Sequence, residues 1–141
     1  MGTQTYEVEL DRTADRLHVR SRVRDFVIEI GAHRGDAAVG INAVETLLSA
    51  VGTCFTTSFV MVAELSGVAI GRLKVQVSAV RQDRPPLLVS IRYTAFIEAD
   101  AGDGKVDRLV ALAERNSTVI GTLRGALPLT GGWRRYEETG D

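Results

Sequence analysis

From Thr46 to Ala63 the chain runs eighteen residues without a single charge. A stretch of that length either crosses a membrane or forms a helix that protein must cover on most sides. Ser49, Gly52, Thr53, Thr56, Thr57 and Ser58 interrupt its apolar character, and no aromatic belt or basic flank marks either end. The run therefore reads as a buried helix from about Ala43 to Leu65, closed by Gly67 as its C-cap. A helix apolar on nearly every side needs more cover than one subunit of 141 residues easily provides, so a homodimer is expected.

The rest of the chain suits one domain, residues 1–141, ending in a polar tail over about 134–141. Hydrophobic residues make up 45% of it, enough for a core and too many for a disordered chain. Seventeen basic residues stand against eighteen acidic ones, a balance that offers no general affinity for nucleic acid or for an anionic membrane. The only cysteine, Cys54, excludes an intrachain disulfide and hence a disulfide-stapled secreted domain. The opening stretch MGTQTYEVELDRTADR has no apolar signal-peptide segment, and a cytoplasmic location is expected.

Periodicity predicts the other elements. TYEVEL (5–10) alternates as a strand. In RLHVRSRVRDFVIEIG, His18, Arg20, Arg22 and Arg24 share one face at period two, and Leu17, Val19 and Val23 the other. The arginine face reads as solvated, since nucleic-acid binding calls for more net positive charge and stacking aromatics. After the long helix, RLKVQVSAVRQ and LLVSIRYTAFIEA alternate as a hairpin around DRPP, the second with Leu87, Val89, Ile91, Tyr93, Ala95 and Ile97 inward. Val106, Leu109, Val110 and Ala113 have helical spacing behind Asp103 as N-cap. STVIGTLRG suggests a second short helix, interrupted or tightened at Gly121, and ALPLTGGW a last strand. The order is segregated α+β rather than the alternation of a doubly wound fold: an antiparallel sheet packed on a long buried central helix.

Most site motifs are missing. No glycine-rich phosphate loop follows a strand, there is no GxSxG elbow, and two histidines with one cysteine supply no zinc-type ligand set. No cofactor and no metal is expected. Cys54 is the one residue with thiol chemistry to offer, although a lone cysteine is more often an inert core residue.

The residues around it carry a resemblance. GINAVETLLSAVGTC is similar to the stretch G-x-N/S-P-x-E-L-L-L-x-A-L-x-x-C of the family of osmotically inducible protein C (OsmC) and organic hydroperoxide resistance (Ohr) proteins. The following strands and helices keep the family's order, and ERNSTVIGTLRGALPL resembles its second motif, C-P-V-x-x-T-L. The likeness covers roughly residues 25–134. It implies an intertwined homodimer with long central helices, and a peroxidatic cysteine, here Cys54, that attacks an organic hydroperoxide. In the family an arginine and a glutamate hold that cysteine as a thiolate, a second cysteine closes a disulfide with it, and dithiols regenerate the pair.

The chain departs from that scheme at definite positions. Ser117 stands where the resolving cysteine belongs, Thr118 where its proline belongs, and Ala43 where the proline of the first motif belongs. A serine cannot form a disulfide, so the two-cysteine cycle cannot run within one chain; Ser117 instead suits an N-cap. Glu45 lies nine residues before Cys54, as in the OsmC-like branch, and half a turn out of phase with it on a regular helix. It is a candidate site residue, but its place also suits the first helical turn. Arg12, Arg16, Arg20, Arg22, Arg24 and Arg34 are all open as the thiolate's partner. Two functions follow. One is a one-cysteine thiol peroxidase using an external thiol reductant. The other is a non-catalytic dimer, either structural or stress-responsive, or holding a small apolar or acidic ligand near Cys54 with Ser117, Thr53, Thr56 and Thr57 as polar contacts.

Overall fold

The computed structural model describes residues 2–137. Its order is three strands, a long helix, two strands, two helices and a strand, the α+β order expected. By its own contacts the chain divides into two compact units, residues 1–47 and 48–141, each described in turn.

The first unit is a three-stranded antiparallel meander, β1 (Glu9–Arg12), β2 (His18–Val23) and β3 (Phe26–Gly31). β1 begins later than expected, because backbone partners on β2 exist only from Glu9 onward; Tyr6 lies outside it and is exposed. The period-two reading of β2 holds up to Arg22. Arg24 leaves the strand for the two-residue hairpin turn, at φ 54° with its guanidinium over the Phe26 ring. The register puts Leu10, Ser21 and Ile28 in one row, flanked by Val19 beside Ile30 and Val23 beside Phe26. One face of this sheet is therefore apolar, yet Leu10, Phe26 and Ile28 remain more than half exposed. The segment after β3 contains a 3-10 turn, Ala37–Val39, and enters helix α1 (Ala43–Leu65).

The second unit holds the hydrophobic core. Its sheet has the order β4 (Ile70–Gln82), β5 (Leu87–Ala99), β6 (Leu129–Arg135). β4 and β5 are antiparallel, as expected for the hairpin, but β5 and β6 are parallel, so the sheet is mixed rather than antiparallel. The reason is the crossover: α2 (Asp103–Arg115) and α3 (Thr118–Arg124) carry the chain back before β6 begins. β6 also continues through Arg135, taking Arg134 and Arg135 out of the expected tail; residues 138–141 of that tail lie outside the described residues.

Ile91, Tyr93, Ala95 and Ile97 face inward from β5 as the alternation requires. Leu87 and Val89 do not. A register shift between Val80 and Arg81 puts Leu88 against the core and leaves Leu87 and Val89 exposed. Against this face α1 lays Val51, Phe55, Phe59, Val62 and Ala63, spaced as one helical stripe. Gly52 lies against β4, where an added Cβ would meet Val77 at 3.4 Å, an ordinary van der Waals contact. Phe55 packs on Phe59 and on Tyr93, with centroids 5.8 and 4.9 Å apart. The expectation of a helix buried on all sides is met only on this stripe, since Ser49, Thr53, Thr57, Met61 and Glu64 are exposed on the far side. By length and composition α1 could also cross a membrane, but its apolar stripe is here part of the core.

The helix ends as expected. Gly67 at φ 71° lets its own N–H reach the Glu64 carbonyl and the Val68 N–H reach that of Ala63, the paired bonds of a Schellman motif. α2 differs: Gly102 is its N-cap, and Asp103, already inside the helix, accepts from Arg135 at 2.8 Å. α3 runs unbroken through Gly121.

Opposite Tyr93 on β6 stands Gly131, where an added Cβ would occupy the space of the tyrosine ring. Gly131→Ala is expected to lower stability by about 2 kcal/mol through overpacking. Urea denaturation of this variant beside Gly132→Ala, whose site has open space, checks the steric origin.

Candidate functional site

Cys54 follows an exposed Thr53 and precedes the fully buried Phe55, so its half-buried free thiol lies where the core stripe of α1 meets the exposed side. One turn further on, Ser58 is buried and donates to the backbone carbonyl of Asn116 at 3.3 Å. That bond draws the α2–α3 turn against α1. Asn116 caps α2, and Ser117 is the residue that begins α3. The fold thus brings the Ser117 turn to the part of α1 just past Cys54, two positions 63 residues apart in sequence.

Ser117 holds the N-cap place with the extended backbone expected there (φ −89°, ψ 107°), but its side chain makes no capping bond. It turns inward, is 2% exposed, and its Oγ has no hydrogen-bond partner among the described residues. The backbone performs the joining instead: the Ser117 N–H donates to the Glu114 carbonyl at 3.2 Å, and the Ser117 carbonyl accepts from Gly121 at 2.9 Å.

Beneath this turn lies a polar cluster that the sequence did not disclose. The Tyr93 hydroxyl donates to the Glu114 carboxylate, which also meets the Arg124 guanidinium at 3.2 Å. Arg124 Nε donates to the Leu129 carbonyl at 3.0 Å. Burial first, then the hydrogen bond to an anionic partner, pushes the Tyr93 phenol far above its ordinary range, so it acts as a fixed donor. The cluster ties β5, α2, α3 and the start of β6 together around the Ser117 turn. Its one visible signal was a tyrosine at an inward position of β5, where a buried hydroxyl requires a partner.

Glu45 is placed by a capping box. Its Oε1 accepts from the Asn42 N–H at 3.0 Å while its own N–H donates to Asn42 Oδ1 at 2.9 Å. Of the candidate arginines, Arg20 pairs with Glu29 at 2.8 Å across β2 and β3, and Arg12 reaches the Arg16 carbonyl at 3.5 Å. Among the described residues no group of three or more histidine, cysteine or acidic side chains converges as a metal site.

The sequence profile of OsmC-like proteins matches residues 33–130. The chain belongs to the OsmC-like family. Among curated proteins none matches its sequence. Solved structures give the same fold. The crystal structure of an OsmC-like protein from Mycoplasma pneumoniae aligns with a TM-score of 0.86 at 17% identity, covering 95% of this chain and 99% of that one. An organic hydroperoxide resistance protein OsmC from Legionella pneumophila aligns at 0.74 and 16%, covering 93% and 98%. The organic hydroperoxide resistance protein OhrB of Bacillus subtilis aligns at 0.69 and 17%, again covering 93% and 98%. At these identities the likeness speaks for the fold and not for the activity. The OsmC-like assignment drawn from the two motifs is correct.

An unpartnered buried hydroxyl costs roughly 1–3 kcal/mol, whereas a true N-cap serine contributes about 1 kcal/mol. Ser117→Ala is therefore expected to leave stability unchanged or raise it by about 1 kcal/mol. A loss of that size in urea denaturation would mean that the hydroxyl does cap α3.

Proposed function

We propose that this OsmC-like protein is a one-cysteine, thiol-dependent peroxidase for organic hydroperoxides, with Cys54 as the attacking residue. The observation that carries this reading is the position of Cys54: half-buried, beside Phe55 at the rim of an apolar core, and near the turn that bears Ser117. A half-exposed thiol there can be reached from solvent while keeping apolar neighbours.

The thiolate attacks the terminal oxygen of the peroxide. The O–O bond breaks, the sulfur is left as a sulfenic acid, and the alkoxide takes a proton from water and departs as the alcohol. The protein's own sequence supplies no second thiol. Two equivalents of an external thiol then restore Cys54: the first forms a mixed disulfide with loss of water, and the second releases it. Attack requires the thiolate, which is helped by positive charge nearby. Glu45 is a weaker candidate, acting through the start of α1 rather than on the peroxide.

The active form is proposed to be a homodimer in the cytoplasm. Two exposed surfaces support the dimer: the apolar face of the β1–β3 sheet, and the far side of α1 with Thr53, Thr57 and Met61. Monomers do not usually leave a contiguous apolar face of that kind in water. Sedimentation at micromolar concentration is expected to give a dimer, and a well-folded monomer would contradict it.

A second reading is a non-catalytic dimer that holds a small ligand. The buried hydroxyl of Ser117, with no partner among the described residues, favours it, because a free donor in an apolar setting suits a ligand oxygen. One experiment divides the two. The reduced protein receives one equivalent of cumene hydroperoxide and Cys54 is followed by mass spectrometry. The peroxidase gains one oxygen within seconds and loses it to added thiol; a Cys54 that stays reduced after long exposure rejects the catalytic reading. In the Ser117→Cys variant the same treatment is expected to give an intrachain disulfide in place of the stable sulfenic acid.

A further inference from the structure

His18 opens β2, and both of its ring nitrogens face oxygens that only accept. Nδ1 lies 2.9 Å from Asp15 Oδ2 and Nε2 lies 2.7 Å from the carbonyl of Val39. A neutral imidazole carries one N–H, so in that form one lone pair would point at another. Only the doubly protonated ring satisfies both contacts. Its acceptors lie on two different segments, the β1–β2 turn and the 3-10 turn Ala37–Val39 that leads towards α1.

We propose that His18 is a proton-operated latch. With both protons it fastens the Ala37–Val39 turn to the β1–β2 turn, and loss of one proton releases the Val39 carbonyl. The Asp15 side keeps its proton because that carboxylate is fixed in place. It accepts from the Thr13 hydroxyl and from the Leu17 N–H at 2.8 Å, contacts that hold its pKa far below the usual carboxylate range. A charge-assisted bond to a held carboxylate outlasts a bond to a neutral carbonyl.

The surroundings favour the charged ring. The bond to Val39 first, then that to Asp15, raises the His18 pKa above its ordinary 6.5, with Glu29 on β3 adding to it and desolvation opposing it. On β1, Arg12 is turned to the Arg16 carbonyl; on β2, Arg20 is neutralised by Glu29; on the Val39 segment, Asp36 caps Ala38 and lies 3.9 Å from His33. Because the folded pKa is the higher one, the latch is fully closed below the unfolded value and opens as pH rises through the folded value. The device therefore loosens the approach to α1 as pH rises.

The test is an NMR titration of the full chain labelled with 13C and 15N. The imidazole of His18 is expected to titrate above 6.5, and the Val39 carbonyl carbon to move with the same midpoint. At high pH the ring nitrogens should report the Nδ1–H tautomer. Asp15→Asn should bring the midpoint down towards 6.5, and His18→Gln should remove the titration at Val39 while the resonances of β4 to β6 stay in place. A Val39 carbonyl that does not move, a midpoint at or below 6.5, or an Nε2–H tautomer at high pH would each overturn the latch.

Discussion

One contact governs the rest of the second unit: the stripe of α1 laid on the inner face of β5. Phe55, Phe59 and Val51 are fully buried there, and truncating any one phenylalanine of such a core typically costs about 3–5 kcal/mol. The absence of charge from Thr46 to Ala63 makes the stripe possible. The same stripe sets where Cys54 stands, since a residue beside Phe55 on a helix must lie near the core's edge. The thiol's setting is thus a by-product of how the core is packed. Its half-burial needs no separate device.

Around that helix the polar groups are arranged to keep one turn still. Ser58 fastens Asn116, Glu114 receives the Ser117 N–H through its carbonyl, and its carboxylate is held between Tyr93 and Arg124. Four elements converge on a turn of two residues. Among the described residues, the Ser117 hydroxyl is the buried side-chain polar atom left without a bond. A sulfur atom is content in an apolar pocket, and a hydroxyl is not. Ser117 thus keeps a polar atom in a setting that would suit a thiol.

The long helix was legible almost to the residue, because its charge-free run and Gly67 are local signals. The strand pair β4–β5 was legible for the same reason. What failed depends on partners distant in sequence. The parallel pairing of β6 cannot be read from LTGGW, which alternates no differently for either direction. The bulge that turns Leu88 inward is a matter of register between two strands. Asp103 looked like a cap, yet the chain bends one residue earlier and gives its carboxylate to Arg135. Motif singled out Cys54 and Ser117 as candidates, whereas the Tyr93–Glu114–Arg124 cluster gave no such signal, because its three members come from three elements with no common spacing.

The parallel β5–β6 pair has a consequence for how the chain is made. β5 acquires its second neighbour only after both intervening helices and the last strand have left the ribosome. Until then Tyr93 lacks the glycine that faces it and the inner sheet is open on one edge. The nascent chain therefore keeps that edge of β5 unpaired until β6 arrives, and completion of the sheet is a late step.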